Sequence, residues 1–436
     1  MILALGLVWL VIVAYPGVMT MDSFDQLREG REWFFTDSHP PIMAALWGIL
    51  DRIIAGPITM LVLQGTAFLV GLYLILKHVM TPRRAAVSAC VLLAFPPIFA
   101  PLLVIWKDCL MAGSLVLGIA AMLDGRRWVR VLGLVAFMLA TALRYNAPAA
   151  TLPLIVLLFE WQPGKRWLAR YSIAAATWLA VTVCAFGINA LLTDKQMHFW
   201  QQSIALGDIV GTLQFVEPTL SDAELRPLLG PTEILVDHDI HARVRAKYKS
   251  NDFQQLLTGE GHLWDVPWSE PMPQIRAAAV SHAWWTLLRD HPGAFLRYRL
   301  ENFGETLGVN RQFAGGMVVA HRVQYVGMLD YMGIGRGSSK LQSFVEDKYL
   351  WLARRTRLFR PHVYALLALG LLGLCRRDRM AFALLLSGLF MELTLFVLGG
   401  TPDYRYSHWL VVTACLGIIV LFARRRHQTI SPSRST

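Results

Sequence analysis

The feature that most limits how this chain folds is a regular alternation. Mostly apolar runs, each near the length of a bilayer crossing, are separated by short connections, and every second connection is basic. A spanning helix needs roughly 17–25 mostly apolar residues. Runs fitting that description cover 2–19, 57–76, 85–104, 109–123, 129–143, 147–161, 171–192, 361–375, 380–399 and 409–423, about ten in all. The basic connections are KHVMTPRR (77–84), GRRWVR (125–130), GKRWLAR (164–170), RRDR (376–379) and RRR (424–426). Positively charged loops stay in the cytoplasm, so these five share one side and the other connections face outward. Only 16% of residues are charged, against about 25% in soluble domains. The net charge of +11 would suit nucleic acid, but topology already accounts for the basic clusters, so no nucleic-acid partner is expected.

The expected fold is therefore an all-α polytopic membrane protein. It has about ten transmembrane helices, juxtamembrane helices in the first outward loop, and one large extracytoplasmic loop domain. Residues 1–192 form an N-terminal transmembrane module whose first outward loop is 20–56. Residues 193–360 are too long for a connection and should hold a mainly helical domain. Residues 361–426 return to spanning helices, and 427–436 are a polar cytoplasmic tail. The first apolar run lacks a basic n-region and an A-x-A site, so it reads as a retained helix. HPPIMAALWGILDRI (39–53) fits a surface helix with Pro in its first turn. SHAWWTLLRDHPGAFLRYRLENF (281–303) fits a helix, a Pro-Gly turn and a second helix, with its Trp pair at the lipid interface. The five cysteines have no metal-like spacing and read as small core residues.

The outward connections hold the chemistry-bearing residues. MDSFDQ places Asp22 and Asp25 at a helix start capped by Asp or Ser. Their spacing of three puts both carboxylates on one side, where either could serve as a general base. The competing reading is two solvated loop acids. IWKDC carries Lys107 and Asp108 at a helix entrance, either a functional cation with its neighbour or a local pair marking the helix end. Arg144 and Asn146 interrupt an apolar stretch, and charges at such positions are costly and by default functional. The alternative is a hairpin turn with a snorkelling arginine. TPDYRYSHW sets Arg405 between Tyr404 and Tyr406, with Pro402 and Asp403 turning into the last run. Guanidinium forks match phosphate oxygens, so Arg144 and Arg405 could clamp one phosphate with Lys107 as a point charge. His39, before Pro-Pro, either meets a ligand or caps the next helix, and with no second His or Cys beside it no metal site is expected.

These motifs, in this order, resemble bacterial membrane glycosyltransferases of the GT-C fold, which include protein O-mannosyltransferases and the aminoarabinose transferases of lipid A. The resemblance implies a sugar donor on polyprenyl phosphate and an acceptor hydroxyl on a glycan, glycolipid or protein outside the cytoplasm. It implies Asp22 as the catalytic acid position, with Asp25 as its neighbour. Lys107, Arg144 and Arg405 are then donor-phosphate ligands, and His39, Asp108, Asn146, Tyr404 and Tyr406 substrate contacts. D-S-F-D departs from a strict paired-acid motif, so no cofactor is expected and no divalent metal is required. The implied place is the bacterial inner membrane, multi-pass, with the active site facing the periplasm or cell exterior. The rival expectations are a secondary transporter or flippase of a lipid-linked or anionic substrate, though no internal repeat supports one, and, among enzymes, a phosphoglycolipid ligase.

Overall fold

The computed structural model describes all residues except 159–163, 165, 251, 253–256, 258–260, 267, 310–318, 321–328, 331, 335–338 and 431–436, and it leaves out the side chains of 425–430. The end of the 147–161 run and most of the polar tail thus lie outside the described residues. Helices are the regular structure throughout, and the pairings between extended segments are three isolated bridges among the described residues.

Helix falls on each of the ten apolar runs. In chain order the first ten helices are α1 (Ile2–Ala14), α2 (Met21–Glu32), α3 (Pro41–Asp51), α4 (Ile58–Lys77), α5 (Pro82–Ala94), α6 (Pro96–Leu102), α7 (Lys107–Met122), α8 (Arg127–Leu143), α9 (Ala147–Leu158) and α10 (Trp167–Leu192). A π-helical turn, Gln201–Ala205, opens the next group: α11 (Leu206–Phe215), α12 (Asp222–Leu229), α13 (Ile240–Lys247), α14 (Gln274–Asp290) and α15 (Pro292–Thr306). The last four are α16 (Lys340–Arg355), α17 (Pro361–Leu374), α18 (Arg379–Leu398) and α19 (His408–Ile430).

The lengths revise the expectation of ten spans. Among the described residues four helices are long and apolar enough to cross a membrane: α4, α10, α18 and Tyr404–Arg424, which includes most of α19. A fifth candidate is the α5–α6 pair, bent by 72° at Phe95 and Pro96. By contrast α1 and α17 have 13 and 14 residues. At a rise of about 1.5 Å per residue they reach only about 20–21 Å, short of a bilayer core of about 30 Å. The surface of α10 fits a lipid environment: it leaves Leu191 88% and Val183 60% exposed on an otherwise apolar helix, which water would disfavour.

One large hydrophobic core joins α1–α10 and α16–α19. A second core, from Ala205 to Leu287, is built by α11–α14 with Trp264 at its centre. The expected unit 193–360 is therefore not uniform: Ala353 of α16, like Phe359 beyond it, packs into the large core instead. The helix, Pro turn and helix expected at 281–303 are present as α14 and α15, with Pro292 at the first position of α15. The Trp pair divides. Trp285 is exposed, while Trp284 turns inward and donates its indole N–H to Asp208.

The basic connections gather at one end of the large bundle. Asp378 caps α18 by accepting from the amides of Met380 and Ala381, and it pairs with Arg424 of α19 at 3.0 Å. The charges of Asp124, between α7 and α8, and of Arg424 both act on His78 at the end of α4. Connections 77–84, 125–130, 376–379 and 424–426 thus share an end.

Candidate functional site

At the opposite end lies a cavity of about 540 Å³. Its wall takes residues from separate parts of the chain: Asp22 from α2, His39 before α3, Lys107 opening α7, Arg144 and Asn146 between α8 and α9, and Arg405 with Tyr406 before α19.

Backbone and side-chain joints bring these distant residues together. Val18 donates its N–H to the Leu103 carbonyl at 3.2 Å, and Ile105 returns one to the Val18 carbonyl at 2.9 Å. Ser23 Oγ donates to the Ile105 carbonyl at 2.7 Å, and the Trp106 indole donates to Thr20 Oγ1 at 3.0 Å. The start of α2 is thereby fastened to the strand-like segment before α7, which sets Asp22 near Lys107. α6 ends at Leu102 and α7 begins at Lys107, so the carbonyls of 102 and 104 lack helical partners, and the buried amide of Gln64 donates to both, at 3.1 and 2.8 Å. A second joint holds the far side of the first loop. Asp194 accepts from Phe35 N at 2.9 Å, and Asp37 accepts from Met197 N at 2.5 Å.

α2 and α3 themselves meet backbone to backbone at Gly30 and Gly48. A Cβ on Gly48 would overlap the Gly30 carbonyl, and one on Gly30 would overlap the Ala44 carbonyl. Only glycine admits this approach. It fixes the angle at which α2 presents Asp22.

The helix start differs from expectation in its cap. Thr20 is the N-cap, and its N–H donates to Ser23 Oγ at 3.1 Å, so neither Asp caps the helix. The two aspartates also part company. Asp22 enters the cavity, whereas Asp25 pairs with Arg28 at 3.1 Å and lies outside it. A spacing of three still leaves about 60° between side chains on a helix of 3.6 residues per turn, enough to separate them at a cavity edge.

Three cations and three carboxylates make the charged floor. Arg405 Nη2 meets Asp22 Oδ2 at 2.8 Å, and its Nε meets Asp403 Oδ2 at 3.1 Å. Asp403 also accepts from the Arg405 backbone N–H at 3.2 Å. Arg144 Nη1 meets the buried Asp108 at 2.9 Å and its Nε donates to Asn146 at 3.3 Å. Lys107 Nζ lies 2.8 Å from His39 Nδ1. The guanidinium of Arg405 lies over Trp106 at 4.6 Å and over Tyr406 at 5.2 Å, and Arg144 lies 5.0 Å from the same Tyr406 ring. Cations over ring faces are stabilised by the ring quadrupole.

Lys107 and Asp108 do not pair with each other, which removes the reading of a local pair at the helix end, and Arg144 and Arg405, expected to clamp a phosphate, each hold a carboxylate. Asp108 lies behind the wall as the counter-ion of Arg144. Tyr404 is absent from the wall: it is buried and donates its hydroxyl to the Pro97 carbonyl at 3.1 Å, at the bend between α5 and α6. His39 does not cap α3, whose N-cap is Pro40.

Proton affinities follow from this packing. Burial alone would raise Asp22, but the charges of Arg405 and Lys107 outweigh it and hold its pKa well below the usual carboxylate range. Burial, with the ammonium of Lys107 beside it, lowers His39 to about 3. A neutral His39 that accepts from Lys107 at Nδ1 carries its proton on Nε2, which faces Asp22 Oδ1 at 3.9 Å. Burial lowers Lys107 to about 8 against the attraction of Asp22, and it raises Asp403 to about 6 despite Arg405.

The structure adds wall residues that the sequence did not single out. Asp37, Phe199, Trp200 and the Gly399–Gly400 backbone line the cavity. Asp37 belongs to the DSHPP stretch, so only its role was hidden. Phe199 and Trp200 follow α10 in a segment without a recognisable motif, and only the fold shows that both line the cavity, with the Phe199 ring 6.2 Å from His39. Among the described residues no group of three His, Cys, Asp or Glu converges as a metal site.

Compared with known proteins, the chain matches no protein-family model, no curated protein and no solved structure.

Proposed function

We propose that the chain is a membrane glycosyltransferase that moves a sugar, with inversion, from a polyprenyl-phosphate donor to an acceptor hydroxyl. The observation carrying this reading is the convergence of Asp22, His39, Lys107, Arg144, Asn146, Arg405 and Tyr406 on one cavity. That cavity lies at the end of the bundle away from four basic connections, which by the positive-inside rule supports an extracytoplasmic position for it. In a bacterium that is the outer side of the inner membrane.

The donor phosphate sits against Lys107 and Arg405. The acceptor oxygen attacks the anomeric carbon, and Asp22 takes the proton of that hydroxyl. The bond from the anomeric carbon to the phosphate oxygen breaks, and its electron pair stays on the phosphate. Fixed cations lower the energy of that growing charge. Arg144, held by Asp108 and Asn146, keeps the wall positive without leaving its own partner. Phe199, Trp200 and Tyr145 supply aromatic faces for sugar C–H groups. Glycan, glycolipid and protein hydroxyls are all acceptors compatible with this chemistry.

The test follows release of polyprenyl phosphate from polyprenyl-phosphate sugars by protein in nanodiscs, for wild type and Asp22→Asn. The expected result is turnover in wild type and a loss of about 10²-fold or more in the variant, the low end of what a general base contributes. Equal turnover would remove Asp22 from the mechanism. Transport of an intact lipid-linked sugar without its cleavage would replace the enzyme by a flippase.

A further inference from the structure

Arg405 has two carboxylate partners of different standing. Asp403 is two residues away, and it is fixed at both ends because its other oxygen accepts the Arg405 backbone N–H. Asp22 reaches in from α2, keeps 26% of its side chain exposed, and among the described residues its second oxygen has His39 at 3.9 Å as its ion-pair partner. One partner belongs to the arginine's own turn and the other can be replaced. Lys107, by contrast, makes its short contact with His39 and no ion pair with a carboxylate among the described residues. An anion entering the cavity therefore meets Lys107 first. The next guanidinium it can reach is occupied.

We propose that a ligand phosphate and the Asp22 carboxylate compete for Arg405, so that binding the phosphate releases Asp22 into the cavity. This rests on the phosphate-bearing donor assigned above. The physical reason is charge balance. The cavity wall holds Lys107, Arg144 and Arg405 against Asp22, Asp37 and Asp403, with Asp108 behind Arg144 and His39 neutral. A phosphate that reaches Lys107 and the Nη2 of Arg405 together takes the place of Asp22 there, whereas Asp108 is buried against Arg144 and does not give way. The groups that act on Asp22 are Arg405, Asp403 and Tyr406 from the loop before α19, His39 before α3, Lys107 from α7, and Asp25 on its own helix. With Arg405 drawn to the phosphate, the nearest strong cation leaves Asp22, and its basicity rises while the donor is in place. The base is thus weak in the empty cavity and gains strength only beside the leaving group it serves.

The experiment is a binding measurement that needs no turnover. Farnesyl phosphate, farnesol and inorganic phosphate are titrated into wild type and Asp22→Asn in nanodiscs, with tryptophan emission and a thermal melt to check folding. Because a charge-assisted contact is freed, the variant should bind farnesyl phosphate about fivefold tighter or more, with farnesol unchanged. Inorganic phosphate should show the same gain in ratio if the anion alone is recognised, and only farnesyl phosphate should show it if the lipid chain places the anion. Equal or weaker binding of both phosphates by the variant overturns the competition while leaving the transferase reading intact. Farnesyl phosphate that binds neither protein overturns the donor assignment and this proposal with it. In case Asp22→Asn does not fold, the wild type alone is read by difference infrared spectroscopy. A shifted carboxylate stretch on saturation with farnesyl phosphate is the expected result, and its absence refutes the exchange.

Discussion

The loop that carries Asp403 and Arg405 is held from outside the large core, and this can be tested by one substitution. Arg299 of α15 pairs with Asp208 of α11, and both side chains are 2% exposed. The same guanidinium donates to the Gly399 carbonyl at 2.7 Å, and Asn302 one turn on donates to the Gly400 carbonyl at 2.6 Å. Gly399 and Gly400 form part of the cavity wall. Arg299→Met keeps most of the volume and removes the charge. It strands the Asp208 carboxylate with the Trp284 indole and the Tyr298 hydroxyl as its donors, and removing one partner of a buried pair costs about 3–5 kcal/mol. The lost bond to the Gly399 carbonyl adds about 1 kcal/mol. A loss of about 4–6 kcal/mol corresponds to an opening equilibrium raised by roughly 10³–10⁴. Hydrogen exchange in nanodiscs reads this directly, as lost protection in α11, α15 and the 399–405 backbone. Asp208→Asn added to Arg299→Met removes the stranded charge and should restore about 2–3 kcal/mol. The reasoning fails if Arg299→Met loses less than about 1 kcal/mol, the size of an exposed pair, or if the double variant loses the sum of its parts.

Two further outcomes are expected. Gly48→Ala drives a methyl group into the Gly30 carbonyl, so it should cost about 1–3 kcal/mol by overpacking and lower any Asp22-dependent activity. Gly373→Ala, which meets nothing within 4 Å in α17, is the control and should be neutral or slightly stabilising in the same thermal melts. Burial raises Glu29 to about 7, even though the hydroxyl and amide of Thr36 both donate to its carboxylate. A carboxyl raised in the folded state binds its proton more tightly there than in the unfolded chain. Stability should therefore fall as pH rises from about 4.5 to about 7, by up to about 3 kcal/mol. Glu29→Gln should flatten that window in melts across pH, and an unchanged slope would show that Glu29 is not the group responsible.

How much of this was legible beforehand depends on the residue. The apolar runs and the spacing of the basic connections gave helix on all ten runs, because burial in lipid or core leaves few other ways to satisfy the backbone. They did not give lengths. Pro96 breaks the third run, and Arg144–Asn146 end the fifth and start the sixth, so several helices stop short of a bilayer thickness. Costly residues at helix ends pointed to Asp22, Lys107, Arg144 and Arg405 as members of a site, since a charge beside lipid persists only where something uses it.

Local sequence determined which residues carry charge and where each helix starts. Only the tertiary structure decided who pairs with whom. Lys107 and Asp108 are neighbours in the chain, yet the first turn of α7 splays them, one toward His39 and the other toward Arg144. Asp22 and Arg405 are 383 positions apart in the chain and meet at 2.8 Å. Pairing depends on distance and burial in three dimensions, and a run of residue types encodes neither until distant segments such as 18–23 and 103–107 are packed against each other.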